Sequence, residues 1–596
     1  MNILGISCYY HDAAAALLQD GELMAAAEEE RFTRKKHDFG FPAKAIEFCL
    51  SQGRVHPQDL DYVVFYEKPL LKFERILMTS LGTFPRSWAS FRESMVSWFK
   101  NKLWIKGEIL RRLSIPAERL LFVEHHLSHA ASAFFASPFQ EAAILTVDGV
   151  GEWTTATLGR ATADWDGENQ NRIDLFQEVK FPHSLGLLYS AFTAFLGFEV
   201  NEGKYKVMGM APYGRPNRLE DVYRLIEVGG DGSFRLNMDY FCFHHSASRT
   251  INGKFESLFG KPRHPEADFY THTTHPRKDL PGWDDGLARS NQRYADIAAS
   301  IQGVTEEILI KMARHVQEKT GLKKLCIAGG VGLNSAANGR LMRELPFEDI
   351  WIQPASGDSG GALGAALYVY HVLLGKGRKF VQEHSYWGKS YSSEEMEQAL
   401  RAAHASYEIA KDEEPLARSL VADLVAGKVV GLFQGRFEWG PRALGNRSIL
   451  ADPRRAEMKD IVNTKIKFRE PFRPFAPAVL EDKATDYYEG LSDPQRHYPL
   501  RYMLMVFPVK EEKKNLIPAV THAGGTGRIQ TIRREWNPLY YRIVERFAEE
   551  TGVPVVLNTS FNLRGEPIVG SPTDALNTFQ KSGLDSLYMG PFVIRK

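Results

Sequence analysis

The sequence has few of the features that mark secreted, membrane-spanning or redox-active proteins. Only four cysteines occur in 596 residues, and no C-x-x-C pair is present, which argues against a zinc knuckle and a dithiol site. No run of about 18 apolar residues occurs, so we expect no membrane-spanning helix. The N-terminus lacks a basic stretch and holds His11 and Asp12 among apolar residues, so we expect no signal peptide and a cytoplasmic location.

A strong excess of charge is also missing. Lys and Arg number 74 and Asp and Glu number 73, so the net charge is +1 and the whole chain has no general attraction for nucleic acid. Hydrophobic residues make up 44%, which is enough for well-formed cores. The length favours several domains.

The order of predicted elements indicates an α/β fold. Strands are predicted at Asn2–Ser7, Ala13–Leu18 and Leu23–Ala27, and a helix at Phe41–Gln52. Strands that alternate with helices are typical of layered α/β proteins. The chain starts afresh after a polar linker, so we predict one domain over residues 1–376, a linker over 377–384 and a second domain over 385–596. No internal repeat is visible in the sequence.

Two regions carry no chemical motif. Phe84–Lys106 combines aromatic and basic residues at helical spacing, which favours an amphipathic helix packed on the domain. A surface for a partner, an acceptor or a membrane is the alternative. Phe234–Gln292 has irregular hydrophobicity, and we predict an elaborated loop or a small insertion there.

The first motif with chemical potential is Glu124-His125-His126-Leu127-Ser128-His129. Residues four apart share one helix face, so His125 and His129 can bind one metal ion while His126 points elsewhere. Two ordinary helix histidines are the alternative. Asp148 ends a strand before a glycine-rich turn and can add a carboxylate, and such a donor set suits Fe(II), Mn(II) or Zn(II).

A glycine-rich stretch follows the predicted strand Lys324–Ala328. Its backbone amides can approach a phosphate or a nucleoside, although it matches neither the Walker A nor the Rossmann spacing, and a tight turn is the alternative. We predict nucleotide binding by Gly329, Gly330, Gly332 and Asn334. A second stretch of this kind, Ser356–Gly361, contains a further carboxylate, Asp358.

The C-terminal part contains a cluster of cations beside small polar residues. The run Gly440–Ser448 holds Arg442 and Arg447, and further basic residues follow it. Such a group can form an oxyanion or phosphate pocket, with a solvated basic surface as the alternative.

These motifs together resemble the O-carbamoyltransferase family of antibiotic and nodulation-factor biosynthesis. The resemblance spans nearly the whole chain and depends on HDAAAALL, EEERFTRKKH, HHLSHA, VDGVGE, GGVGLN, SGDSGGALGAA, GRFEWGPRALGNRSILADPR and LNTSFNLRGEPIV. It implies an N-terminal actin-like (ASKHA) two-lobed domain and a C-terminal YrdC-like α/β domain. In such enzymes the YrdC-like domain combines carbamoyl phosphate with ATP to give carbamoyl-adenylate and pyrophosphate. The acceptor hydroxyl then attacks the carbamoyl carbon at the metal-bearing domain, and AMP leaves.

The resemblance also implies roles for individual residues. His11 would act as general base, with a hydrogen-bonded structural histidine as the alternative, and Lys36 would help to hold the substrate or intermediate. The implied metal ligands, with iron as the expected metal and Mg²⁺ accompanying ATP, are His125, His129, Asp148 and Asp358. The implied carbamoyl phosphate ligands are Arg442, Arg447, Lys467, Arg473, Arg528, Ser560 and Asn562.

The resulting hypothesis is an ATP-dependent O-carbamoyltransferase that acts on a hydroxyl of a natural product or sugar. Its partner is then a small-molecule acceptor rather than nucleic acid, and a homodimer is left open. A tRNA-modifying enzyme of the same fold and a non-catalytic nucleotide- or metal-binding regulator are the alternatives. The near-neutral charge argues against the first, and a complete carbamoyl phosphate pocket argues against the second.

Overall fold

The computed structural model describes residues 1–100, 102–165, 171–265, 267–274 and 283–596. It divides into two compact units. Unit 1 contains Met1–Met24, Phe39–Pro42 and Cys49–Val381, and unit 2 contains Ala25–Asp38, Ala43–Phe48 and Gln382–Lys596. Two short N-terminal stretches therefore belong to the unit that the C-terminal part mainly forms.

Among these residues, no helix combines the length and the apolar character needed to cross a bilayer.

The chain forms strands throughout its length. In chain order, they are β1 (Asn2–Ser7), β2 (Ala14–Gln19), β3 (Glu22–Glu28), β4 (Tyr62–Phe65), β5 (Leu120–Phe122), β6 (Glu141–Val147), β7 (Thr154–Thr162), β8 (Arg172–Lys180), β9 (Ile226–Val228), β10 (Phe234–Leu236), β11 (Lys324–Ala328), β12 (Asp349–Ile352), β13 (Glu408–Ile409), β14 (Val430–Phe433), β15 (Arg447–Ala451), β16 (Ala476–Leu480), β17 (Val506–Pro508), β18 (Thr526–Arg528), β19 (Gln530–Ile532), β20 (Val555–Ser560), β21 (Ser586–Met589) and β22 (Phe592–Arg595).

Helices separate these strands. They are α1 (Glu30–Thr33), α2 (Ala43–Gly53), α3 (Pro69–Gly82), α4 (Trp88–Lys100), α5 (Ile105–Leu113), α6 (His125–Phe134), α7 (Leu185–Phe195), α8 (Val200–Met210), α9 (Leu219–Tyr223), α10 (Gly253–Phe259), α11 (Asp285–Thr320), α12 (Ser335–Glu344), α13 (Asp358–Tyr368), α14 (Ser393–Ala402), α15 (Glu413–Val425), α16 (Met458–Asp460), α17 (Ala484–Tyr487), α18 (Tyr498–Arg501), α19 (Glu511–Lys514), α20 (Pro538–Thr551) and α21 (Pro572–Lys581).

The two large sheets of the N-terminal part have the same construction. One has the order β3-β2-β1-β4-β5 and the other the order β8-β7-β6-β11-β12, so each places its strands as third, second, first, fourth and fifth along the chain. In both, the first strand is antiparallel to the second and parallel to the fourth. The mixed α/β class and the actin-like arrangement predicted for this part are therefore confirmed, and they include a structural repeat that the sequence does not show.

The repeat places chemical groups at equivalent positions in unit 1. α6 follows the fifth strand of one sheet, and α13 follows the fifth strand of the other. The two helices pack closely, since a Cβ at Gly364 would lie 1.8 Å from the carbonyl oxygen of Ser128. Likewise, His11 lies beyond the first strand β1, and Asp148 lies directly beyond the first strand β6.

Unit 2 contains an eight-stranded mixed sheet with the order β13-β22-β21-β14-β15-β20-β16-β19. β14 and β21 are parallel, as are β16 and β19, whereas β15 and β16 are both antiparallel to β20. β17 and β18 form a separate antiparallel pair.

The N-terminal stretch of unit 2 is tied to loops far along the chain. Glu28 Oε1 accepts the backbone N–H of Gly440 at 2.8 Å, and Nη2 of Arg31 donates to the carbonyl of the same glycine at 2.7 Å. Nη1 and Nη2 of Arg34 donate to the carbonyls of Ile568 and Pro567. These bonds join residues more than 400 positions apart.

The two regions without motifs are also defined. Phe84–Lys106 is largely helical, with α4 over Trp88–Lys100, a 3-10 turn over Lys102–Trp104 and the first turn of α5. The predicted insertion Phe234–Gln292 contains β10, α10 and the start of α11 among its described residues, while residues 266 and 275–282 lie outside the described part.

Candidate functional site

The two histidines at the centre of the candidate site are placed by α6. Both are buried, and their Nε2 atoms lie 3.0 Å apart, as expected for residues one helical turn apart on one face. His126 turns away, with Nδ1 at 2.6 Å from Oγ1 of Thr146 and Nε2 at 2.9 Å from the carbonyl of Thr154. The side chain of His126 therefore points away from those of His125 and His129, as the sequence predicts.

Two carboxylates that follow strands of the second sheet face these histidines. Oδ2 of Asp148 lies 3.2 Å from Nε2 of His125 and 3.8 Å from Nε2 of His129. Oδ1 of Asp358, at the start of α13, lies 3.7 and 3.9 Å from the same two nitrogens. The four donor atoms all lie within 4.8 Å of one another. The structure thus brings together all four predicted ligands.

These donors fit a metal ion. A metal about 2.0–2.2 Å from each donor sets neighbouring donors about 3.0–3.6 Å apart, close to the observed separations. Among the described side chains, Oδ2 of Asp358 and Nδ1 of His129 are buried without a hydrogen-bond partner. Two imidazoles and two carboxylates suit Fe(II), Mn(II) or Zn(II).

The electrostatics of the cluster also favour a cation. Burial and the charge of His129 lower the pKa of His125 to about 3, so its imidazole is neutral and can donate an electron pair. Burial raises the pKa of Asp148, but hydrogen bonds with the two histidines outweigh burial and hold it well below its usual value. Burial and the charge of Asp148 raise the pKa of Asp358 well above its usual value. A bound cation would lower the pKa of Asp358 again and favour its ionised form.

Carboxylates behind the cluster support His125. Both oxygens of the buried Glu152 accept the backbone N–H of His125, at 3.1 and 3.3 Å, where a carboxylate stabilises the start of α6. Oε2 of the buried Glu67 lies 4.0 Å from Nδ1 of His125 and forms a 2.6 Å ion pair with Nζ of Lys72. At 4.0 Å the contact between Glu67 and His125 is electrostatic and not a hydrogen bond, and a carboxylate behind a histidine ligand favours its binding to a cation. Sequence reasoning did not assign Glu67, Lys72 or Glu152.

His11, the predicted general base, lies in the loop after β1 next to Tyr10, with ring centroids 4.1 Å apart. Burial, and then the charge of Lys204, lower the pKa of His11 to about 4, while Asp148 opposes this shift. The imidazole is therefore neutral near pH 7 and able to accept a proton. Lys204, which sequence reasoning did not assign, has its own pKa lowered by burial against the opposing charges of Asp148 and Asp358.

The predicted nucleotide loop adjoins the cluster through Asp148. The backbone N–H of Gly330 donates to Oδ1 of Asp148 at 2.9 Å. Gly329 has φ +92°, and a Cβ there would lie 2.3 Å from the carbonyl oxygen of Val147. Asn334 caps α12 through the N–H of Ala337. Gly332 also lacks room for a side chain. Nucleotide binding by this loop stays a prediction.

In unit 2, Lys467 is the centre of a second candidate site. This lysine is buried, and its ammonium donates to the backbone and side-chain oxygens of Ser560, at 2.6 and 3.2 Å. It also donates to the backbone carbonyl of Asn562 at 2.8 Å and to Oδ1 of its side chain at 2.6 Å. Three of the predicted carbamoyl phosphate residues are therefore in contact.

Further cations surround Lys467. Burial, and then the charges of Arg469, Arg473 and Lys36, lower the pKa of Lys467 well below its usual value. Burial and the charge of Arg473 likewise lower the pKa of Arg469. Nε of Arg473 lies 3.1 Å from Oε2 of Glu470. A bound anion would relieve the repulsion within this cluster. Lys36 is close enough to act on the pKa of Lys467, and its role in holding the substrate or intermediate stays a prediction.

A buried carboxylate organises the loop that carries Arg442. Oε1 of Glu438 accepts the backbone N–H groups of Leu444 and Asn446 at 2.7 and 2.8 Å. Arg447 is fully buried; its guanidinium stacks 3.7 Å above Phe433 and donates to backbone carbonyls. Arg447 therefore holds this loop, and its predicted contact with carbamoyl phosphate stays a prediction.

Asn558 joins the segments that carry the remaining predicted residues. Its side-chain amide donates to the carbonyl of Ala443 at 3.1 Å and to Oε1 of Gln530 at 2.6 Å. Ala443 follows Arg442, Gln530 lies two residues after Arg528, and Ser560 lies two residues after Asn558 itself. One amide thus fixes three segments of the candidate anion pocket.

Comparison with known proteins gives the family. Residues 2–367 match the family model described as carbamoyltransferase N-terminus, and residues 421–596 match carbamoyltransferase C-terminus. The chain belongs to the carbamoyltransferase family. The predicted family and the predicted class of enzyme are confirmed.

Relatives of this carbamoyltransferase match along its length. It is 46% identical to uncharacterized protein sll1178 of Synechocystis sp., over 100% of this chain and 97% of that one. It is 38% identical to nodulation protein NolNO of Sinorhizobium fredii, over 99% of this chain and 79% of that one. It is 29% identical to nodulation protein U of Rhizobium tropici, over 95% of this chain and 91% of that one.

Solved structures resemble the carbamoyltransferase only distantly. Component A of (R)-2-hydroxyglutaryl-CoA dehydratase from Acidaminococcus fermentans has a TM-score of 0.31 and 15% identity, over 62% of this chain and 98% of that one. HypF of T. kodakarensis has a TM-score of 0.29 and 14% identity, over 62% of this chain and 48% of that one. The fold assignment depends instead on the repeated strand order.

Proposed function

We propose that this carbamoyltransferase is ATP-dependent and carries out two half-reactions. In the first, carbamoyl phosphate, ATP and water give carbamoyl-adenylate, pyrophosphate and phosphate. The carbamate oxygen released by loss of the phosphoryl group to water attacks the α-phosphorus of ATP. In the second, an acceptor hydroxyl attacks the carbamoyl carbon, the C–O bond to AMP breaks, and the hydroxyl proton passes to a base.

The observation that carries this proposal is the presence of two chemically different buried clusters, one in each unit. The cations around Lys467 suit the anionic substrates of the first half-reaction, since charge-assisted bonds to phosphate are strong. The imidazoles and carboxylates around His125 suit a cation instead. A single half-reaction would require only one of them.

In unit 2, the chain's own residues would bind and orient carbamoyl phosphate. Lys467, already held by Ser560 and Asn562, would present its ammonium to the phosphate, with Arg442 and Arg473 beside it. Arg528 lies on the segment that Asn558 joins to this pocket. A YrdC-like character of this unit, as the resemblance implies, is part of the proposal.

In unit 1, His125, His129, Asp148 and Asp358 would hold the metal ion, with iron as the proposed metal. When bound, the ion supplies Lewis acidity toward a phosphate or carbonyl oxygen. The loop at Gly329–Asn334 would bind the nucleotide. His11, neutral at pH 7, would accept the proton of the attacking hydroxyl at its imidazole nitrogen.

The proposed acceptor is a small molecule with a hydroxyl group, such as a sugar or a natural product. The relatives named as nodulation proteins support this class, because the resemblance that links this chain to them is to enzymes that modify small molecules.

The test is a balance of products. The purified chain is supplied with ATP, carbamoyl phosphate and a panel of sugars and other alcohols, and carbamoylated products are sought by mass spectrometry. We expect one pyrophosphate, one phosphate and one AMP for each carbamate ester. Release of ADP without pyrophosphate would overturn the proposal.

A further inference from the structure

Exposed large hydrophobic side chains are concentrated in one short stretch. Of the sixteen found among the described residues, nine lie between Leu70 and Trp104. The most exposed aromatic residues there are Phe84, Trp88, Phe99 and Trp104, with 66%, 58%, 59% and 63% of their surface accessible. Single exposed apolar residues are ordinary, but a contiguous group marks an interaction surface. We call residues 70–104 the aromatic surface.

The aromatic surface has an inner and an outer side. On the inner side, the ring of Trp98 is buried and lies 5.5 Å from that of Phe73, which anchors α4 to α3. On the outer side, Trp88 stacks with Phe91 at 6.3 Å. A groove of about 390 Å³ lies there, lined by Trp88, Phe91, Arg92, Met95, Val96 and Phe99. The helices are therefore held to unit 1 and still present apolar groups outward.

The charge of this stretch differs from that of the whole chain. Residues 84–106, which overlap the aromatic surface and extend two residues beyond it, contain five basic residues and one acidic residue, whereas the complete sequence carries a net charge of only +1. Arg86, Arg92 and Lys106 are exposed beside the aromatic side chains. Tryptophan and phenylalanine on a helix flanked by Lys and Arg are the combination that lies in the headgroup region of a membrane.

A second copy of the chain fits this surface less well. A two-fold dimer places the same patch of each subunit against itself, so the excess of cations on one copy would face that on the other. An anionic lipid surface offers both an apolar layer for the rings and negative charge for the cations. We propose that the aromatic surface docks this protein on anionic lipid bilayers.

The test uses the full-length protein and sedimentation with vesicles. We expect binding to vesicles of phosphatidylcholine with 30% phosphatidylglycerol, weaker binding at high salt, and little binding to phosphatidylcholine alone. The double variant Trp88→Ala/Phe99→Ala should bind at least about tenfold more weakly, because it removes two inserted rings. The variant Arg86→Glu/Arg92→Glu should lose the preference for anionic vesicles.

The matched control is Leu373→Ala/Ile409→Ala, which removes two exposed hydrophobic residues elsewhere and should bind as the wild type does. All variants should keep the wild-type melting temperature, since the altered side chains are exposed. Equal vesicle binding by wild type and Trp88→Ala/Phe99→Ala would overturn the proposal. So would failure of the wild type to bind anionic vesicles, including the case in which it dimerises through this surface instead.

Discussion

The two units contain buried clusters of different chemistry. The cluster in unit 1 consists of imidazoles and carboxylates, whereas the cluster in unit 2 consists of an ammonium and guanidinium groups. Around His125, burial and the charge of Asp148 raise the pKa of the Asp358 carboxyl, and a bound cation would oppose that shift. Around Lys467, an ammonium and guanidinium groups repel one another unless an anion is present. Each cluster is costly to bury alone, so each indicates a ligand of the opposite charge. The comparison supports the proposal that one chain holds separate sites for a cation and an anion.

The largest effect is expected from removing one of the proposed metal ligands of unit 1. His129→Ala should abolish carbamoyl transfer to the acceptor and remove the bound metal, because a ligand matters more than the outer partners whose loss costs about 10–100-fold. Release of pyrophosphate from ATP and carbamoyl phosphate should continue, since Lys467 and its partners are intact. Metal content and pyrophosphate are measured on the same sample.

The control for that variant is His126→Asn on the same helix, whose side chain bonds to Thr146 rather than to the cluster. It should retain the metal. If His129→Ala bound metal as tightly as the wild type, the four-ligand assignment would be wrong.

The complementary change removes the central cation of unit 2. Lys467→Ala should lower pyrophosphate release by about 100- to 1000-fold, as loss of one preorganised electrostatic group does. Its metal content should equal that of the wild type. Lys465→Ala, an exposed lysine two residues away, is the control and should be close to wild type in both measurements. Loss of metal in Lys467→Ala would contradict the separation of the two sites.

A smaller effect should follow from changing a residue that lies behind a proposed metal ligand. Glu67→Gln replaces the carboxylate behind His125 by a neutral amide and should reduce metal affinity by about 10–100-fold, without removing the site. Titration with a competing chelator measures this shift. Glu74→Gln, on the exposed side of α3, should leave the affinity unchanged. Equal affinities of the Glu67→Gln and wild-type proteins would show that Glu67 has no part in holding the ring.

The smallest expected effect is the change in stability of unit 2 with pH. Burial, and then neighbouring arginines, lower the pKa of His384 to about 4 and that of His522 to about 3. The unfolded chain, with histidine pKa values near 6.5, then binds more protons below that pH. We therefore expect the full stability of unit 2 above pH 6.5 and a loss of stability toward pH 4. Each kcal/mol of unfolding free energy lost should lower Tm by about 2–4 °C.

Melting curves between pH 7.5 and 4.5 measure this dependence. His384→Gln should flatten it, because glutamine does not take up a proton, whereas the exposed His404→Gln should not. An unchanged slope in His384→Gln would assign the acid sensitivity to other groups.

Local sequence patterns predicted the parts of the site that depend on local geometry. The spacing of His125 and His129 requires only a helix, and Asp148 requires only a strand that ends in a turn. Asp358 became a ligand candidate through the family resemblance, since nothing in its own neighbourhood indicates a metal. The class of fold followed from the order of strands and helices.

Long-range pairings were not predictable in the same way. Glu67 and His125 are close because β4 pairs with β5, which leads into α6, and Asn558 bonds to Ala443 across 115 positions. The repeat of unit 1 is hidden because α3, α4 and α5 separate the fourth and fifth strands of one sheet, whereas α7 to α11 separate the third and fourth strands of the other. The two copies share strand order rather than residues.

The bonds of Glu28, Arg31 and Arg34 to Gly440 and to residues 567–568 have a consequence for biosynthesis. The ribosome makes the stretch 25–48 early, yet its partners in unit 2 emerge more than 400 residues later. Closing such long loops is slow, so unit 2 completes its folding only near the end of translation. A chain truncated to begin at residue 382 should therefore expose the Gly440 loop to protease, and added peptide 25–48 should protect it.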